Sequence, residues 1–130
     1  MTAPRVPEYL TTHVLAGERL VFALDREAGE LTRGLAGHGR RGVTLSKQPP
    51  LTLVLLAMEA GNALVEHATA GATSILVIRG DVHVLVGGNE EVRLLDHQLL
   101  VLADGVRHDV RAETESLLLI TVAMSDRPKA

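Results

Sequence analysis

Histidine is the side chain in this sequence that can both ligate a transition metal and exchange protons near neutral pH, since its reference pKa is about 6.5. There are six histidines and no cysteines in 130 residues. Two histidines sit in patterned surroundings. The first stretch reads Gly61-Asn-Ala-Leu-Val-Glu-His67-Ala-Thr69-Ala-Gly-Ala-Thr73, then an apolar run to Gly80. The second runs from His97 through Asp104-Gly105-Val-Arg-His108. A strand through the first places Ala63, Val65 and His67 on one face and Glu66 on the other. Imidazoles so placed suit zinc, copper, nickel or iron, and a catalytic metal normally has three protein ligands and one open position. Without metal, the same imidazoles can hydrogen-bond a ligand or act as acid or base.

The other chemistry-bearing residues are less informative. His83 lies between Val82 and Val84 and projects to the face opposite them, which predicts a surface or interface position. His97 reads as an exposed turn, His13 as part of a polar arm, and His38 as solvated in a glycine-rich loop. Asp96 and His97 are neighbours, and strand neighbours point to opposite faces. The absence of cysteine removes disulfides, thiolate metal sites and a cysteine nucleophile. No serine stands in a nucleophile elbow and no glycine-rich phosphate loop precedes a helix, so Gly87-Gly88 reads as a hairpin turn.

The first stretch resembles the first motif of the cupin superfamily, Gly-(x)5-His-x-His-(x)3-4-Glu-(x)6-Gly. Gly61, His67 and Gly80 are in register, with Thr69 at the second histidine and Thr73 at the glutamate. The second stretch resembles the other cupin motif, Gly-(x)5-Pro-x-Gly-(x)2-His-(x)3-Asn. Gly105 and His108 are kept; His97, Ala103 and Ala112 replace the leading glycine, the proline and the asparagine. The resemblance covers residues 50 to 123 and implies an all-β, jelly-roll barrel.

It also implies that His67 and His108 face each other inside the barrel, with Thr69 and Thr73 beside them as the lining of a ligand pocket. A divalent transition metal (zinc, iron, nickel or manganese) held by His67 and His108 would lack two ligands, one of them the compensating carboxylate. No cofactor is therefore expected as a matter of course. Three readings follow. One is a metal-independent module that binds a small molecule in an aliphatic cavity. Another is a metal-dependent oxygenase or isomerase using His67 and His108. The last is a dimeric structural barrel with a filled interior. Cupins include dioxygenases, isomerases, sugar-binding proteins and storage proteins, so the fold alone does not choose.

The elements that must position these residues are legible from punctuation and period. Tyr9 and Phe22 are the only aromatics and tryptophan is absent, so the core is aliphatic and stacking platforms for nucleic-acid bases are lacking. A formal net charge of -3 gives no attraction to a polyanion. No apolar run has the length of a membrane span and no secretory signal opens the chain, which gives the expectation of a cytoplasmic protein without a membrane partner.

Along the chain, residues 1–42 read as an arm and extension, 43–124 as the barrel and 125–130 as a tail. Within the extension, residues 18–24 are a candidate strand, followed by a short helix capped by Asp25 and running through Leu35. Glu27 and Glu30 stand near its positive end, and Gly29 and Gly34 weaken it. Gly37 to Gly42 reads as a loop. Strands are predicted over 43–46, 51–59, 63–67, 74–79, 81–86, 90–95, 98–103, 107–112 and 116–123. Those at 51–57, 75–78, 99–102 and 117–122 are apolar on both faces, which requires a cover on the outside of the sheet. Either the N-terminal segment folds over it or a second subunit does, and a homodimer is the simpler expectation.

Overall fold

The computed structural model describes residues 15–65 and 71–124. A single helix, α1 (Leu24–Arg33), precedes nine strands: β1 (Arg40–Gln48), β2 (Leu51–Met58), β3 (Ala63–Val65), β4 (Gly71–Arg79), β5 (Asp81–Val86), β6 (Glu90–Leu95), β7 (Leu99–Leu102), β8 (His108–Ala112) and β9 (Ser116–Met124). Each strand coincides with one expected from the sequence. They form two antiparallel sheets, ordered β1-β2-β9-β4-β7 and β3-β8-β5-β6. The pairings β2 with β9, β3 with β8, β4 with β7 and β5 with β6 describe one long ribbon doubled back at the β5–β6 hairpin and rolled up, a jelly roll. Among the described residues no helix is long and apolar enough to cross a membrane.

Two apolar layers hold the roll together. Between the sheets, Leu56, Met58, Ile75, Val77, Val82, Val84, Val110 and Leu118 form a core to which both sheets contribute. On the outer side of the five-stranded sheet, Val43, Leu45, Leu55, Ala57 and Leu117 pack against Ala28, Leu31 and Leu35. Alternation along β2 and β9 sends successive side chains to these two layers, which is why both strands read as apolar throughout. The cover that such strands require is thus supplied from within the chain over β1, β2 and β9. On the edge strand β7, Leu99 and Val101 remain exposed, at 57% and 66%.

The N-terminal extension departs from expectation in three places. Residues 18–23 form no strand. Val21 is exposed and Phe22 packs on the helix layer, so this apolar run leads into the helix instead of pairing with β1. The helix begins at Leu24 with Ala23 at the cap position and no side-chain cap bond, so Asp25 lies inside the first turn. Leu24, Ala28, Leu31 and Leu35 recur at the spacing of one helical stripe, and burying that stripe sets the start in place of capping chemistry. The expected loop ends early as well: Arg40 to Gly42 belong to β1 and pair with Met58, Ala57 and Leu56.

Gly80, between β4 and β5, shows why a glycine closes the first patterned stretch. Its φ is +128°, and a Cβ there would lie 2.1 Å from Oγ and 2.7 Å from Cα of Ser116. Ser116 cannot withdraw, because its buried hydroxyl accepts from the Asp81 N–H (3.1 Å) and donates to the Thr114 carbonyl (2.8 Å). Gly80→Ala should therefore destabilise the fold by about 1–3 kcal/mol in urea unfolding, through backbone strain and overpacking. An unchanged midpoint would refute this account of the turn.

Candidate functional site

Inward-facing alternation assembles the site. On β8, His108, Val110 and Ala112 are buried while Asp109 and Arg111 between them are not. On β4, Thr73, Ile75 and Val77 are buried in the same way. His108 and Thr73 come together on the wall of a cavity of about 190 Å³, with Arg40 as its third polar residue. The remaining wall is aliphatic: Val54 and Leu56 from β2, Leu64 from β3, Ile75 from β4, Val110 from β8, and Ile120 and Val122 from β9. His67 and Thr69, the other two predicted pocket residues, lie outside the described residues.

His108 is 5% exposed, and its Nδ1 lies 3.2 Å from the carbonyl oxygen of Val106. A carbonyl can only accept, so Nδ1 carries the hydrogen of this bond, and in the neutral ring Nε2 is then the acceptor. No hydrogen bond to Nε2 is made among the described residues. Thr73 is 3% exposed and makes a polar interaction of its own.

Among the described residues no three His, Asp or Glu side chains gather. On the wall as described, one imidazole and one neutral threonine hydroxyl do not amount to a three-ligand site, and no carboxylate is there among the described residues to balance a cation.

Arg40 was not anticipated. Three glycines between Gly37 and Gly42 suggested a loop, yet Arg40, Gly42 and Thr44 pair with Met58, Leu56 and Val54, whose side chains face the interior. The strand period, applied three residues earlier, would have revealed it. Arg40 is held by a small clamp. Glu59 accepts the N–H groups of Gly37 and Gly39, both at 2.9 Å, and donates its own N–H to the Gly39 carbonyl (2.8 Å). The guanidinium then reaches from the edge of one sheet to the other, where Nη1 donates to the Ala63 carbonyl (3.3 Å) and the Asn62 Oδ1 (3.4 Å).

The other described histidines lie elsewhere. His38 and His97 are exposed, and His97 has φ +66°, the left-handed conformation that favours glycine at this place. His83 is on the outer face of the four-stranded sheet, hydrogen-bonded through Nδ1 to Glu91, with Nε2 at 3.9 Å from both Asp81 and Glu113. Arg93 grips Asp81 with two bonds (3.0 and 2.9 Å) and holds its carboxyl below the usual carboxylate range. This is a charged outer surface, remote from the cavity face.

Solved structures share this arrangement of strands. The protein of unknown function from Streptococcus pyogenes matches over 97% of this chain and all of its own, with a TM-score of 0.67 and 16% identity. A cupin superfamily protein from Desulfitobacterium hafniense DCB-2 matches over 68% of this chain and 80% of its own, with a TM-score of 0.64 and 14% identity. The fold is that of the cupins. The salicylate 1,2-dioxygenase of Pseudaminobacter salicylatoxidans has it too, with a TM-score of 0.64 and 19% identity over 77% of this chain. This chain spans only 32% of that enzyme's length. No family model matches the sequence, and no curated protein is similar to it. At such identities the cupin likeness carries the fold and leaves the chemistry to the residues.

Two outcomes are expected. The ¹⁵N shifts of His108 should report hydrogen on Nδ1 and a bare Nε2 in the free protein; the opposite tautomer would undo the assignment of the buried acceptor. The Glu59 carboxyl is held below the ordinary range, first by the Gly37 N–H and then by the Gly39 N–H. A depressed folded pKa stabilises at neutral pH, and the effect is lost as pH falls through that lowered value. The melting-temperature gap between native protein and Glu59→Gln should thus be present at about pH 7 and shrink toward about pH 3. A gap that widens on acidification would contradict the clamp.

Proposed function

We propose that this cupin-fold protein binds a small organic molecule in its aliphatic cavity and does so without a metal. The observation that carries the reading is an open chamber whose described wall is aliphatic except for His108, Thr73 and Arg40. Polar side chains on such a wall fix the orientation of a ligand whose body the aliphatic residues bury. The open volume of about 190 Å³ supports binding over a filled structural barrel. It exceeds the roughly 150 Å³ of an engineered apolar cavity that accommodates benzene. It is smaller than the usual drug-sized pocket of about 300–1,000 Å³, so the ligand is small.

A metal-dependent reading has one observation in its favour. A histidine whose Nδ1–H is fixed by a backbone carbonyl, with Nε2 bare, is oriented as metal-ligating histidines are. It would rest on His67 together with His108, with an oxygenase or isomerase reaction as in some proteins of this fold.

Two measurements separate the readings. Elemental analysis comes first, on protein grown with added metals and purified without chelators, beside a His67→Ala/His108→Ala double variant. Near-stoichiometric zinc, iron, nickel or manganese that vanishes in the variant would overturn the metal-independent reading. The second is the melting temperature of native protein, which should rise when millimolar hexan-1-ol is added, because a ligand that binds only the folded state stabilises it. An unchanged melting temperature would count against a binding chamber.

A further inference from the structure

We infer that the ligand is a small aliphatic monocarboxylate, and that Arg40 selects it by its charge; this rests on the binding reading above. Arg40 lines the cavity and is itself exposed, so it stands where the cavity meets solvent. Its recorded partners are two neutral amide oxygens at 3.3 and 3.4 Å, both served by the same nitrogen, Nη1. Contacts of that length are weak, and they use little of a group with five N–H donors. Arg33, Arg93 and Arg111 are paired with Glu30, Asp81 and Glu113, whereas Arg40, like Arg41 and Arg79, has no ion pair among the described residues; what sets Arg40 apart is its place on the cavity wall. Among the described residues no carboxylate is paired with Arg40, and none lines the cavity. Among the described residues, a cationic fork therefore borders a largely apolar chamber with no anion to meet it.

The chemistry of the ligand follows from this asymmetry. A guanidinium matches a carboxylate with two parallel hydrogen bonds, which gives both charge and orientation. A phosphate monoester would bring nearly two charges, and the described wall offers one cation with a threonine and a histidine. Only one end of the ligand is anionic, because the rest of the described wall is aliphatic apart from Thr73 and His108. A dicarboxylate would bury a second charge against Val54, Ile120 and Val122, which is costly. By comparison with the cavity that holds benzene, this volume takes a body of about six to nine non-hydrogen atoms.

Hexanoate, hexanamide and hexan-1-ol test this, since they share a chain and differ in the head group. Affinities by calorimetry and melting-temperature shifts should be measured on native protein, Arg40→Gln and Arg33→Gln. Native protein should bind hexanoate about tenfold more tightly than hexanamide, a modest factor because the guanidinium is exposed. Arg40→Gln should keep its affinity for hexanamide and lose the preference, while Arg33→Gln keeps it. Persistent hexanamide binding also shows that the Arg40 variant is folded. Equal binding of acid and amide by native protein, or a preference that survives Arg40→Gln, overturns the carboxylate inference and leaves the binding cavity standing. If none of the three probes binds native protein at millimolar concentration, both readings fall.

Discussion

Burial of β2 and β9 on both faces is the constraint on which the rest depends. Both strands are inner members of the five-stranded sheet, and their alternate side chains enter two different apolar layers. Leu56, Leu118 and Ile120 need the second sheet opposite them; Leu55, Ala57 and Leu117 need the helix. Neither layer suffices alone, because one exposed face would leave a row of leucines in water. The short helix is thus a structural part of the barrel, although its sequence lies far from the strands that resemble the cupin motifs.

The same constraint explains how a site can exist in so apolar an interior. One end of the roll is filled by Met58, Val77, Val82 and Leu118, and toward the other the sheets enclose space. Polar groups on that inner surface are few and each has a distinct local support. The backbone carbonyl of Val106 sets the ring of His108, and the Glu59 clamp on residues 37 to 39 sets the strand start that carries Arg40. The walls give volume and dryness, and the polar residues give direction. Such a division favours recognition of a molecule with one polar end.

The strands were legible because glycine-rich turns punctuate short apolar runs and leave no room for crossover helices. His108 and Thr73 were legible through spacing, since the resemblance fixed their phase on strands whose period is two. The start of the helix was not, because the local preference of Asp25 for a cap competed with a buried stripe formed only in the tertiary structure. Arg40 was hidden for a related reason: glycines at 37, 39 and 42 weaken the strand signal locally, while pairing with β2 supplies it from a distance. The aliphatic lining was out of reach as well. A strand that is apolar on both faces carries no mark of which face meets the cavity.

The order of strands has a consequence for how the chain reaches this state. Among the described strands, only β1–β2 and β5–β6 pair with a neighbour in sequence. Either hairpin alone leaves apolar surface in water, so the early chain holds little worth keeping. The five-stranded sheet, and with it the pairing of β2 to β4 through β9, waits for residues 116–124, which come last among the strands and must slot between β2 and β4. Loop-closure entropy is spent before those distant contacts repay it, which makes for slow, all-or-none folding. Because β9 also contributes Ile120 and Val122 to the cavity wall, the chamber and the fold are completed in the same step. A partly folded chain therefore has no partial site to offer, and occupancy of the chamber reports directly on the finished molecule.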